Sequence, residues 1–461
     1  MTKRRAISLF AFILLAAVGV AAALLLTNRR DITTSSDEAY RVYREAVENE
    51  RRFYLKEAQA GFAKALELDP EFAMAMAGLA RYAPEKERAL SLLRRADRLR
   101  SRLNERERLQ LDLQLAGREK GPEEHLKVAR EILRRYPNDF RAASIVAHSH
   151  KNLGNEEEAI AVFRRLLEAD PNVADAYNLI GYHHGYRGDY EKAIESLKKY
   201  QFMAPDQANP HDSLGEIQAY SGHYDEAIVS LNRALKIKPD FFASYDHLGV
   251  VYEGKGDYSR GREHYLKAAE LSPVMKEGYL FKAVRATMEA GDREAFRSIA
   301  ERFETLPKGE YSDAHAAFLR ACEHLIEGRP AESERVLAEL RPKLEAEFQK
   351  KNQAPGRKFY EPGWNYLMAL ARMAQGRESE AVPLLEEMAS PPNGWDGFEG
   401  RLMVYEGRAE LAALLAKRGE LDQAEKLLEE NRKWNPTWAP TRPAEQIVAQ
   451  LRREKVLASA K

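Results

Sequence analysis

Cysteine is almost missing from this chain: Cys322 is the only one in 461 residues. No internal disulfide, four-cysteine zinc knuckle or Cys-x-x-Cys redox pair can therefore form. Net charge is missing too. Lys+Arg and Asp+Glu both number 72, so nothing in the overall balance draws the molecule to nucleic acid or an anionic surface, and a charge-driven partner must be met by a local patch. Catalytic signatures are equally scarce. The chain contains no His-Glu-x-x-His, no Gly-x-Ser-x-Gly and no Gly-x4-Gly-Lys-Ser/Thr, so zinc peptidase, serine hydrolase and P-loop readings lack their minimum residues. What is present is 44% apolar and 31% charged residues, enough for a sizeable core under a solvated surface, which excludes global disorder.

One long uncharged run stands out. Ala6 to Thr27 carries no charge, and at 1.5 Å per residue a helix of that length spans roughly 33 Å, the thickness of a hydrocarbon core. Residues 1–30 are thus expected to form a signal anchor or transmembrane helix, giving a single-pass membrane protein. Lys3, Arg4 and Arg5 outweigh Arg29 and Arg30, which places the N-terminus in the cytoplasm and the remainder outside it, in a periplasmic compartment. A cleaved signal peptide ending near Ala21-Ala22-Ala23, with a secreted product, and a cytoplasmic remainder stay open as alternatives.

Beyond this run the chain repeats. Prolines fall at 137, 171, 205, 239 and 273, four successive intervals of 34. The same offset carries Gly154, Gly188, Gly222 and Gly256, suited to a reversing turn, and Gly181, Gly215 and Gly249 within a helix. A mid-helix glycine costs about 1 kcal/mol relative to alanine, so two helix backbones must approach closely there. Ala159, Ala193, Ala227 and Gly261, each followed four residues later by Phe163, Leu197, Leu231 and Tyr265, share one face of a second helix. Each period is two antiparallel helices.

These columns resemble the tetratricopeptide repeat (TPR) family, whose W-x2-L-G-x2-Y…A-x3-F…P pattern is carried within residues 208–241 by His211, Leu214, Gly215, Gln218, Ala227, Leu231, Ala234 and Pro239. The chain departs from it at the Trp position (Ala143, Tyr177, His211, Tyr245) and the Tyr position (His150, His184, Gln218, Tyr252). The resemblance implies an all-α, right-handed solenoid of about eleven helix-turn-helix pairs. The expected organisation is a linker at 31–38, degenerate units over 39–139, regular units over 140–275, and degenerate units over 276–440. Insertions are expected near 347–362 and 391–401, and a capping helix and tail over 441–461. Ser35 with Glu38 is expected to cap the first helix. The stretch Leu103 to Leu109 (LNERERL) is similar to one found in TPR regions of bacterial signalling proteins such as serine/threonine kinases and winged-helix regulators, which implies a bacterial source.

Functionally, the family resemblance implies a non-enzymatic, membrane-tethered scaffold or adaptor that holds a partner protein or peptide in its concave groove. It implies no cofactor, metal or nucleic acid, and leaves the oligomeric state undetermined. A client receptor in an envelope translocation or assembly machine and an enzyme with an unrecognised site in 340–405 are the alternatives. By resemblance, first-helix positions line the groove, nominating Arg141, Ser144, His148, Lys151, Asn152, Asp175, Asn178, Tyr182, Tyr186, Asp212, Glu216, Tyr220, Asp246 and Glu253. Three tyrosines with carboxylates suit a peptide bearing Lys or Arg and apolar side chains. The carboxylate clamp of some relatives is absent, because Ser144, His148, Leu179, Asn209 and Ser213 stand at its positions.

Several tempting features have plainer readings. The pairs His148/His150 and His183/His184 point to different helix faces and cannot converge on zinc, and His315 with Cys322 lacks a third ligand. Arg187-Gly188-Asp189 falls on an inter-helix turn. The seven arginines between 94 and 108 are interspersed with Asp97, Glu105 and Glu107, as on a solvated helix face. Phe359, Tyr360 and Trp364, with Trp395 and Phe398, either form a second binding surface or seal a degenerate joint.

Overall fold

The computed structural model describes residues 31–83, 85–306, 312–351, 354–390 and 398–459. Every regular element among the described residues is helical, and the chain divides into two compact units between Val146 and Ala147.

The first unit stacks α1 (Asp37–Arg51), α2 (Leu55–Leu68), α3 (Ala73–Ala80), α4 (Lys86–Asp97), α5 (Glu105–Leu115) and α6 (Pro122–Arg135), and its division from the second falls within α7 (Phe140–Asn152). Tyr43 packs its ring 5.6 Å from that of Phe62 and 4.9 Å from that of Phe72. A side chain at Gly78 would place its Cβ 2.5 Å from the Phe62 ring, so glycine there lets α3 lie flat on α2. The cap of α1 differs from expectation by one residue. Ser36, not Ser35, accepts from the Ala39 N–H, because the Ser35 hydroxyl and N–H both donate to Asp69. Thr34 also donates to Asp69, and Thr33 donates through its N–H and hydroxyl to Glu107. Residues 33–35 are therefore docked on the unit. Glu107 closes a reciprocal capping box with Asn104, which gives the LNERERL stretch a structural purpose. The neighbouring arginines find internal acids: Arg94 pairs with Glu119, Arg100 with Asp97 and Asp112, and Arg102 with Glu71.

The second unit continues through α8 (Glu156–Ala169), α9 (Ala174–Tyr186), α10 (Tyr190–Met203), α11 (Ala208–Tyr220), α12 (Tyr224–Ile237), α13 (Phe242–Lys255), α14 (Tyr258–Leu271), α15 (Lys276–Ala290) and α16 (Arg293–Glu304). It then adds α17 (Ser312–Ile326), α18 (Pro330–Lys351), α19 (Ala354–Met373), α20 (Glu378–Ala389), α21 (Phe398–Lys417), α22 (Leu421–Trp434) and a closing helix α23 (Arg442–Ser459). Turn glycines 188 and 222 take φ of +81° and +83°, a conformation open to glycine at no steric cost. On either side of residues 352–353, α18 and α19 run 22 and 20 residues with Pro342 and Pro362 inside them. Each proline removes one helix donor, while Trp364, Tyr366 and Leu367 bury just beyond the second.

An unforeseen closure ends this unit. The end of α22 and the loop after it lie across the inter-helix turns of three regular pairs. Trp434 abuts Gly188, Thr437 donates to the Gly222 carbonyl at 3.1 Å, and Ala439 abuts Gly256. Buried Tyr224 donates to Asn435 at 3.2 Å.

Membrane localisation is corrected. Among the described residues no helix is long and apolar enough to cross a membrane. Residues 6–27, on which the anchor rested, lie outside the described residues, as do residues 391–397 with Trp395 and the side chains of Phe359, Tyr360 and Phe398.

Candidate functional site

Because successive first helices of a repeat array are related by about 34 residues, a side chain on one should meet its counterpart on the next. It does so throughout α9, α11, α13 and α15. Tyr182 donates to Glu216 at 2.5 Å, 34 residues away, and to Ser213 at 3.3 Å. Asp212 accepts from Ser244 at 2.7 Å and lies 3.0 Å from His247 Nδ1, whose Nε2 is 3.5 Å from Glu216. Lys282 donates to both oxygens of Asp246, and Arg285 donates to Glu253 at 2.6 Å. One polar strip thus runs along the first-helix face.

Electrostatics fix its protonation. Burial alone would push His247 down, but Asp212 and Glu216 beside it raise it to about 10, so the ring is a histidinium bridging two acids. Glu216 is raised by burial against the opposing pull of His247. Burial likewise drives the Tyr182 phenol up, reinforced by Glu216, and the phenol stays a donor.

The fourteen nominated residues do not form one open wall. Arg141 and Ser144 belong to the first unit. There Arg141 donates to Glu50 at 2.9 Å, the carboxylate that also holds Arg81, while Ser144 donates back to the Phe140 carbonyl. In the second unit His148 and Asn152 are exposed, and Lys151 sits 3.9 Å from the Tyr186 ring centroid. Asp175 accepts from Tyr200 at 3.4 Å. Asn178 is buried with its Oδ1 unpartnered, and Tyr220 is buried. The acids expected to meet a basic peptide are enclosed: Asp212, Asp246 and Glu253 are 3%, 6% and 2% exposed. Their charges are answered by His247, Lys282 and Arg285, which mapping by resemblance within 140–275 left out or did not weigh.

Further along the strip lie residues that sequence reasoning missed. Arg285 also donates to Glu406 of α21 at 3.1 Å, and Tyr366 of α19 donates to Glu289 at 3.4 Å. Arg285 and Glu289 could have been found by carrying the 34-residue register into α15. Glu406 could not, because the proline register is lost before α21. Trp364 seals a joint, its indole donating to the Leu337 carbonyl with Arg341 over the ring. His183 is engaged by Glu156 and its ring lies tilted 5.8 Å from that of Phe163, and no group of three His, Cys, Asp or Glu side chains placed to hold a metal ion occurs among the described residues.

Comparison with known proteins agrees with the repeat reading. Residues 126–174 and 146–208 match one tetratricopeptide repeat model, residues 215–256 match a TPR repeat model, and residues 242–274 match another tetratricopeptide repeat model. No curated protein matches the chain. Among solved structures it is similar to MamA (residues 41 to the end) from Desulfovibrio magneticus RS-1, with 25% identity over 36% of this chain and 94% of that one and a TM-score of 0.30. It is similar to the APC/C hetero-tetramer Cut9–Hcn1 at 15% identity over 96% and 82% with a TM-score of 0.47. PilW, a type IV pilus biogenesis factor, gives 17% identity over 44% and 94% with a TM-score of 0.37. Tetratricopeptide repeats are thus matched over residues 126–208 and 215–274.

Proposed function

We propose that this protein is a non-catalytic scaffold whose second unit holds a partner polypeptide against the first-helix face of its repeats. The observation that carries the reading is the continuous strip of cross-repeat contacts from Tyr182 to Arg285. It orients one face of four successive first helices as a single preorganised surface, and preorganisation lowers the ordering cost of binding. Contact falls to the side chains at its accessible end: His148, Lys151, Asn152 and Tyr186, where a rigid aromatic beside an ammonium suits a peptide with apolar and polar side chains. The buried Asp212, Asp246 and Glu253, with the part-buried Glu216, hold that surface in shape.

The test compares baits. Full-length protein carrying Lys151→Ala with Tyr186→Ala should recover less of a partner from native extract than the wild type. A bait carrying Phe202→Ala with Val229→Ala, two strongly exposed residues of the second helices α10 and α12, should recover the same amount. Undiminished recovery by the first bait would remove this face from the reading.

A further inference from the structure

Among the described residues of the second unit, each half-buried lysine or arginine but two meets a carboxylate or an aromatic ring, as Arg262 meets Asp292, Arg408 meets Glu430 and Lys151 the Tyr186 ring. The exceptions are Lys276 and Arg302, which have no hydrogen-bond, ion-pair or ring partner among the described residues. Both line the same cavity, of about 570 Å³, where α14, α15 and α16 meet. A cation drawn partly out of water loses hydration, and an opposing charge that arrives from outside returns the loss. The space exists because the walls carry small side chains, Ala269 on α14 and Ser298 on α16. Ala269 and Leu280 are buried at its base, and exposed Pro273 adds an apolar edge. Ser298 and Thr305 are exposed at the rim, so the cavity opens to solvent.

Two acids also line the cavity. Glu270 accepts from Lys267 at 3.2 Å and is thereby cancelled, whereas Glu301 is exposed and opposes one of the two cations. The balance is one positive charge above an apolar base. We infer that this cavity binds a small organic monoanion, a carboxylate carrying a compact apolar body. The carboxylate meets the guanidinium of Arg302, whose fork of donors matches its two oxygens, and the ammonium of Lys276. The apolar body lies against Leu280, Ala269 and Pro273. A dianion such as phosphate fits less well, because Glu301 repels its second charge and the apolar base offers it no donor. The volume falls in the range of small-molecule sites, about 300–1,000 Å³. None of the side chains in the cross-repeat strip lines the cavity, so the inference goes beyond the scaffold reading and does not rest on it.

Fluorine NMR of the full chain, with para-fluorophenylacetate and its neutral isostere para-fluorophenylacetamide as probes, tests the inference. The carboxylate should bind the wild type about tenfold more tightly than the amide. Arg302→Gln and Lys276→Gln should each reduce that preference, and the double variant should abolish it. Neither side chain has a partner to lose, so both variants should melt with the wild type. Glu301→Gln removes the opposing rim charge and should tighten the carboxylate, a gain that no folding defect produces. Equal binding of the two probes by the wild type, or a carboxylate preference that survives the double substitution, would overturn the proposal. Displacement of the probe by inorganic phosphate at lower concentration than by unlabelled phenylacetate would reduce the site to a bare anion contact and overturn it as well.

Discussion

Replacing Gly215 with alanine tests the close helix contact that Gly181, Gly215 and Gly249 share. In an isolated helix the change would stabilise by up to about 1 kcal/mol. Here an added Cβ would stand 2.6 Å from Leu231 Cγ, 2.8 Å from its Cδ2 and 3.3 Å from the Ala227 carbonyl. Leu231 is fully buried and cannot swing into solvent, so overpacking costs about 1–3 kcal/mol. The net effect of Gly215→Ala is then a loss of about 0–2 kcal/mol in place of a gain. Gly278→Ala is the internal control: its Cβ meets nothing within 4 Å, and the substitution should stabilise by about 0.5–1 kcal/mol. Leu231→Ala alone costs about 2–5 kcal/mol, but combined with Gly215→Ala it should cost less than the sum, because the new methyl fills part of the space vacated. Native-state amide exchange, read in α11 and α12 for Gly215 and Leu231 and in α15 for Gly278, reports these changes locally, about tenfold in rate per 1.4 kcal/mol, without assuming that a repeat array unfolds in one step. Protection that rises in Gly215→Ala as it does in Gly278→Ala would refute the close approach.

Asn435→Ala should remove one hydrogen-bond partner of the buried Tyr224 hydroxyl, which Thr437 also meets, and weaken the closure by about 1 kcal/mol, seen as faster exchange in α12 and in residues 434–441; unchanged exchange would show that the Asn435 contact contributes nothing to holding the closing loop. Cys322 is buried with its thiol pushed up to about 12 by burial, so it should resist aromatic disulfide reagents at pH 8 until the second unit unfolds; rapid labelling of the native protein would contradict its placement. The folded-state value of His247 is raised to about 10 from 6.5, so the native state binds the extra proton between those values. Its stabilisation is complete below about pH 6.5 and lost as pH rises through 10. A His247→Gln variant should show a flatter pH dependence of unfolding over that window.

The helix pairs were legible because each periodic column has a local cause. A turn needs glycine, a close crossing needs Gly215 against Leu231, and these requirements recur every 34 residues. The cap of α1 was misplaced by one position because Ser35 and Ser36 are chemically equivalent in sequence, and only the docking of Ser35 on Asp69 distinguishes them. The closure of Asn435 onto Tyr224 joins residues 211 apart, a separation that no periodicity encodes. The groove suffered for a related reason. Position in a repeat says which helix face a residue shares, but Asp246 and Glu253 are paired with Lys282 and Arg285 of the next first helix, α15, so face alone did not reveal accessibility. Glu406 reaches the strip from α21, beyond the point where the register fails, and left no trace in the pattern.

Site-specific photocrosslinking of the full-length protein in its native cells addresses the scaffold directly. A photoreactive residue in place of Tyr186 or Lys151 should trap the same partner polypeptide, and one in place of Phe202 or Val229 should trap none of it. A partner trapped from Phe202 or Val229 and never from Tyr186 or Lys151 would contradict the account.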